Sequence, residues 1–183
     1  MDDLEREKKQ GFDWDYMADV LEKKAAAAKY QVPGFGLGAA LFAFAAKAVI
    51  KEMGEEKGEA LLKEAIDDFG KARGRRIAAM VKDLGQPLTL KNWLIYSDID
   101  SVNFDPQPDL DDNDLVVKAG ACTFWNAARE FGMGDYAKIY CKYADYAILE
   151  GYNPDVKLVL HDRHHVGQPD HCTFRYIMKE ENK

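Results

Sequence analysis

Apolar positions recur every three to four residues through the first half of the chain. "DWDYMADVLEKKAAAAKY" (Asp13 to Tyr30), rich in alanine and in Lys/Glu pairs, predicts a helix that stops at "QVPGFGLG", where one proline and three glycines break the pattern. "LGAALFAFAAKAVI" (Leu37 to Ile50) follows, a run of 14 residues interrupted by Lys47. Spanning a bilayer takes about 20 apolar residues, so this run predicts a buried helix. After "MGEEKG" comes a third helix, "EALLKEAIDDFGKARGRRIAAMVKDLG", with Leu61, Leu62, Ala65, Ile66 and Phe69 at helical spacing. Gly70 and Gly74 interrupt it. Each glycine costs a helix about 1 kcal/mol relative to alanine. Two of them four apart share a face, which points to close approach of another backbone or a small ligand, or else to a bend.

The second half changes period. "DIDSVNFDPQPDLDDND" (Asp98 to Asp114) carries two prolines and seven aspartates and reads as a solvated loop; it lacks the central glycine and closing glutamate of a calcium loop. "LVVKAGACT" (Leu115 to Thr123) is strand-like, "FWNAAREFG" a short helix, and "GDYAKIYCKYADYAILEGY" (Gly134 to Tyr152) a longer amphipathic helix. "VKLVLHD" and "HCTFRYIMK" then predict two strands joined by a loop around Gly167 and Pro169. The expected fold is therefore α+β: N-terminal helices packed with a small, mostly antiparallel C-terminal sheet. A length of 183 residues suits one domain, with a mainly helical half (1–90) and a strand-helix-hairpin half (91–183).

Composition narrows the class of partner. At 47% hydrophobic residues the chain can bury a core unaided. With 25 Lys plus Arg against 32 Asp plus Glu, the net charge is −7, and no basic patch suits a run of phosphates, so nucleic acid is not expected. No membrane partner is expected either. The charged start "MDDLEREKKQ" lacks the apolar core of a secretion signal, and Cys122, Cys141 and Cys172 form no CxxC pair; both features predict a cytoplasmic protein with free thiols.

All four histidines (161, 164, 165 and 171) and Cys172 fall within the twelve residues "HDRHHVGQPDHC". Their spacing is not the i, i+4 pair that a helix offers zinc, and His171 and Cys172 point to opposite faces of a strand, so the stretch reads as a solvated hairpin tip with no metal or cofactor. Strict alternation puts Leu158 with Leu160 on one face and Val159 with His161 on the other. On the partner strand it puts Cys172, Phe174, Tyr176 and Met178 opposite His171, Thr173 and Arg175. Cys172 then faces the preceding helix, on which Cys141 and Asp145 are stacked four apart. A carboxylate beside a buried face needs a partner, and Lys138 or Lys142 is the bland alternative.

"YCKYADYAILEGYNPDVKLVL" followed by "GQPDHCTFRY" resembles the C-terminal signature of the L-2-amino-thiazoline-4-carboxylic acid hydrolase-like family, through Cys141, Asp145, Gly151, Asn153, Pro154, Gly167, Cys172, Phe174 and Arg175. "GEEKGEALLKEAIDDFGKARGRRIA" is similar to that family's N-terminal half, so the resemblance covers most of residues 39 to 178. It implies a hydrolase that opens a small cyclic amidine or isothiourea, turning a thiazoline into a carbamoyl cysteine. Such chemistry can use Cys172 as nucleophile, Cys141 as second thiol or proton partner, and Asp145 against the amidinium. Arg73 or Arg175 would take the substrate carboxylate, with Phe124, Trp125 and Tyr140 as walls. A weaker resemblance, to vinyl-reductase-like ligand-binding domains, implies a small-molecule-binding or sensor module without catalysis. In a third reading the apolar helix Leu37 to Ile50 mediates homo-oligomerisation.

Overall fold

The computed structural model describes residue 18 and residues 34–99, 103–111, 114–162 and 172–178. Apart from residue 18, the helix expected over Asp13 to Tyr30 lies outside them, as do the histidine positions 164, 165 and 171. Residues from Gly34 onward form one compact unit, and residues 1–33 are grouped separately. Its helices are α1 (Gly34–Met53), α2 (Glu55–Asp83), α3 (Leu90–Tyr96), α4 (Thr123–Glu130) and α5 (Gly134–Tyr152); its strands are β1 (Pro106–Asp111), β2 (Asp114–Ala119), β3 (Val156–Asp162) and β4 (Cys172–Met178). The strands form one antiparallel sheet in the order β1-β2-β4-β3. The fold is α+β, helices first and sheet last.

The glycines of α2 answer the question they raise. A methyl built at Gly70 would lie 2.6 Å from Ala147 Cβ, and one at Gly74 only 2.1 Å from the Ile148 carbonyl oxygen; from the other side, one at Gly151 would lie 2.4 Å from the Lys71 carbonyl oxygen. Helices α2 and α5 therefore meet backbone to backbone, which only residues without a Cβ permit. Around this seam Leu62, Ile66, Ile77, Ala78 and Val81 of α2 pack with Ala144, Ile148, Leu149 and Tyr152 of α5, and Val156 and Leu158 of β3 close the core. A second cluster joins Ala39 and Ala43 of α1 to Phe124 and Ala128 of α4 and Ala137 of α5.

The "GYNP" turn after α5 fixes the segment that follows α2. The Tyr152 hydroxyl donates to the Thr89 carbonyl (2.8 Å) and the Asn153 amide donates to the Leu88 carbonyl (2.7 Å), while Asn153 Oδ1 accepts from the Asp155 backbone (3.0 Å). Thr89 caps α3, its hydroxyl accepting from the Asn92 backbone N–H at 3.2 Å. Residues 86–99 are thus tied to the end of α5.

Several sequence expectations need correction. The glycines of "GFGLG" are not a break ahead of the apolar helix: α1 begins at Gly34 and runs through them, three residues before the expected start at Leu37. Helix α1 is also not wholly buried. Ala39, Ala43 and Ala46 are buried, whereas Leu37, Leu41 and Phe44 are exposed, because the small residues face the other helices. At 20 residues it is long and apolar enough to cross a membrane by length and composition. The stretch Asp98 to Asp114 is not all loop, since it contains β1, paired to β2 from Pro106↔Ala119 to Asp111↔Asp114. Pro106 and Pro108 are tolerated there because β1 is the edge of the sheet. The strand expected over Leu115 to Thr123 ends at Ala119, since Cys122 caps α4. In β3 the register shifts between Leu158, opposite Tyr176, and Leu160, opposite Arg175, so the expected alternation of Leu158 with Leu160 is broken by a bulge.

Candidate functional site

A chamber of about 470 Å³ opens between α1, α2, α4, α5 and the segment after α3. Phe35, Gly38, Ala39 and Phe42 contribute one face of α1, and Ala65, Ile66, Phe69 and Arg73 one face of α2. Both sets follow the helical spacing that stacks residues on adjoining turns. Asp98 and Ile99 arrive from the segment held by Tyr152 and Asn153, Phe124 from α4 and Tyr140 from α5. The aromatic wall is continuous: Phe124 and Tyr140 stack at 4.6 Å between ring centroids, Phe42 meets Tyr140 edge-on at 5.6 Å, and Phe35 leans on Phe124 at 5.6 Å.

Polar groups occupy one end. Arg73 donates from Nε (3.1 Å) and Nη2 (2.5 Å) to the two oxygens of Asp98, and from Nη1 to the Tyr140 hydroxyl (3.0 Å). The side chains of Arg73 and Asp98 are only 14% and 13% exposed. Burial opposes the Arg73 charge, but Asp98 and Tyr140 outweigh it and hold the guanidinium above its ordinary pKa. Burial likewise pushes the Tyr140 phenol up despite the neighbouring Arg73, so its hydroxyl keeps its proton at neutral pH. Arg76, well exposed, stands 3.7 Å from Asp98.

Of the residues expected to bind substrate, Arg73, Phe124 and Tyr140 meet in this chamber. Trp125 is one residue further along α4, where it packs on the second cluster with the Arg129 guanidinium 4.7 Å over its ring. Arg175 pairs with Val116 and, by alternation, sits on the face of β4 opposite Phe174 and Tyr176. Cys141 and Asp145 lie on adjoining turns of α5, with Cys141 against the second cluster. Cys172, the first residue of β4, is buried opposite Ala119 of β2. None of these five is among the residues that line the chamber.

Asp145, though not part of that lining, is near enough for its charge to be felt by buried groups. Its charge reaches the Tyr140 and Tyr176 hydroxyls and the Cys122 thiol, each of which burial first pushes up and the carboxylate raises further. Cys122 is thereby held as a thiol, its sulfur accepting from the Trp125 backbone N–H at 3.4 Å as the cap of α4. Sequence reasoning missed Cys122 and Asp98. Cys122 stood at what read as the end of a strand, and Asp98 in what read as solvated loop; Pro87 and Thr89 were the signals that a new element starts ahead of Asp98. A smaller hollow of about 230 Å³, between the end of α5 and β3, contains none of the expected site residues. Among the described residues, no group of three or more His, Cys, Asp or Glu side chains is placed to hold a metal ion.

A family model for L-2-amino-thiazoline-4-carboxylic acid hydrolase matches residues 35–176. No curated protein and no solved structure matches the chain.

Proposed function

The chain belongs to the L-2-amino-thiazoline-4-carboxylic acid hydrolase family, and from that membership and the chamber's chemistry we propose that it opens the ring of a small cyclic amidine or isothiourea acid. The observation that carries this reading is Arg73, shielded among aromatic rings and bonded to both Asp98 and Tyr140. A guanidinium held in this way is a pre-oriented carboxylate receptor, because its fork is fixed before the ligand arrives. The stacked Phe124 and Tyr140 offer a flat wall for a planar ring.

Hydrolysis of a 2-amino-thiazoline places a water oxygen on ring carbon 2 and breaks its bond to sulfur, which leaves as a thiol with a proton. The nucleophile comes from the family resemblance and not from the chamber's lining: in our reading Cys172, buried at the start of β4, attacks that carbon first, with Cys141 as its second thiol, and water then releases the enzyme sulfur. Asp145 pairs with the amidinium and accepts the proton of the attacking group.

The test is to incubate the purified protein with 2-amino-thiazoline-4-carboxylate and follow thiol appearance and N-carbamoyl cysteine by mass spectrometry. Ring opening that is lost in Cys172→Ala and Asp145→Asn supports the scheme. Turnover unchanged in both Cys172→Ala and Cys141→Ala removes the thiol from it, and saturable binding without turnover supports the ligand-binding reading instead.

A further inference from the structure

Resting on the proposed function, we infer that the chamber selects a ring acid larger than 2-amino-thiazoline-4-carboxylate itself: a monocarboxylate of the cyclic amidine type that carries an apolar or aromatic substituent. Three observations lead there. The first is size. Cavities of ~300–1,000 Å³ house drug-sized ligands, and the chamber's 470 Å³ lies within that range. A bare thiazoline acid leaves most of that space to water, so much of the apolar wall stays hydrated when it is bound.

The second is the division of the lining. Arg73 is bonded to Asp98 and Tyr140 at one end, and Phe35, Phe42, Ala39 and Ile66 supply hydrocarbon over the rest. Phe69 joins the two parts: it is 54% exposed, has the Arg73 guanidinium 5.7 Å over its ring, and offers the remaining ring surface to an apolar group. A small zwitterion uses the first part and has nothing to offer the second.

The third is the charge and donor count at the polar end. The charges of Arg73 and Asp98 cancel, and Arg76, exposed and outside the lining, adds the one net positive charge that a carboxylate neutralises. A guanidinium has five N–H donors. Asp98 and Tyr140 take three of those of Arg73, leaving one N–H on each terminal nitrogen. Those two, with the Tyr140 O–H, give the lining three donors toward the four acceptor sites of one carboxylate.

Isothermal titration with three probes tests this: 2-amino-thiazoline-4-carboxylate, the same acid bearing a phenyl group at ring carbon 5, and the methyl ester of that phenyl acid. The phenyl acid is expected to bind at least about tenfold more tightly than the parent acid, and its ester at least about tenfold more weakly than the phenyl acid. Gly38→Leu fills the chamber from a position where an added Cβ meets nothing within 4 Å, and is expected to bring the ratio of the two acids' affinities toward one. A phenyl acid that binds no better than the parent overturns the inference, as does an ester that binds as well as its acid. Ring opening of the parent without a gain for the phenyl acid overturns the inference while sparing the hydrolase reading. Tight binding of the phenyl acid without ring opening supports the inference while sinking that reading.

Discussion

Replacing Gly74 by alanine adds one methyl where there is no room for it. Its Cβ would stand 2.1 Å from the Ile148 carbonyl oxygen, 2.6 Å from the Tyr152 nitrogen and 2.7 Å from the Gly151 carbonyl carbon. All three are backbone atoms of α5, so no side chain can swing aside. Reaching the 3.4 Å of ordinary contact requires α2 and α5 to separate by more than an ångström at this point. Overpacking of this kind costs ~1–3 kcal/mol, and a clash with backbone belongs at the upper end. Alanine returns about 1 kcal/mol in helix propensity. The net loss is therefore about 2 kcal/mol, which for a domain of this size lowers Tm by ~4–8 °C.

Thermal melting followed by far-UV circular dichroism reads this directly, with Gly38→Ala as the contrast. At Gly38 the new methyl meets nothing, so only the propensity gain applies and Tm should hold or rise. The same separation strains the 3.0 Å bond between Arg73, next to Gly74, and Tyr140 across the seam, so ligand affinity should fall along with stability. A Gly74→Ala protein that melts at or above the wild-type temperature would refute the backbone-to-backbone seam.

Other outcomes follow from the same contacts. Asn153→Ala removes the donor to the Leu88 carbonyl and should cost about 1 kcal/mol, read by urea unfolding; because that bond anchors the segment leading to Asp98, ligand affinity should weaken too. Burial first, then the Asp145 charge, hold the Cys122 thiol above its ordinary pKa. Alkylation mapped by mass spectrometry should therefore find Cys122 slow at neutral pH, and Asp145→Asn should shift its onset to lower pH; an unchanged onset would place the carboxylate elsewhere. Glu59 accepts from Lys142 and Tyr143, which draw its pKa below 4.5. A lowered carboxylate pKa contributes stability that is complete above 4.5 and lost as pH falls through the lowered value, so Glu59→Gln should flatten the acid limb of the stability curve. The pair is largely exposed, so the effect should be small and reduced by salt.

What the sequence made legible divides along physical lines. Local periodicity sufficed for α5, whose expected span Gly134 to Tyr152 is the observed one, and for the two strands that flank the histidine-rich segment. Gly70 and Gly74 could be read as a contact face because helical spacing puts them in register, although the partner on α5 could not be named. Arg73, Phe124 and Tyr140 were found as binding candidates through the chemistry that the resemblance implies. Asp98 was invisible because its pairing with Arg73 links residues 25 apart through an intervening helix. The edge strand β1 was hidden by prolines that are harmless only where no neighbour needs the N–H. The bulge in β3 and the approach of Asp145 to Cys122 are likewise tertiary facts, set by how the sheet meets α5 and carried by no local pattern.

The central claim is that Arg73, fixed by Asp98 and Tyr140, receives the carboxylate of a ring acid. Arg73→Lys keeps the charge and loses the planar fork, so steady-state kinetics on 2-amino-thiazoline-4-carboxylate separate the two contributions. The account predicts that KM rises by about tenfold to a hundredfold, the equivalent of losing one charge-assisted bond of ~1.5–3 kcal/mol, with a smaller change in kcat. A lysine variant that melts like the wild type and turns over the acid with unchanged KM would contradict it.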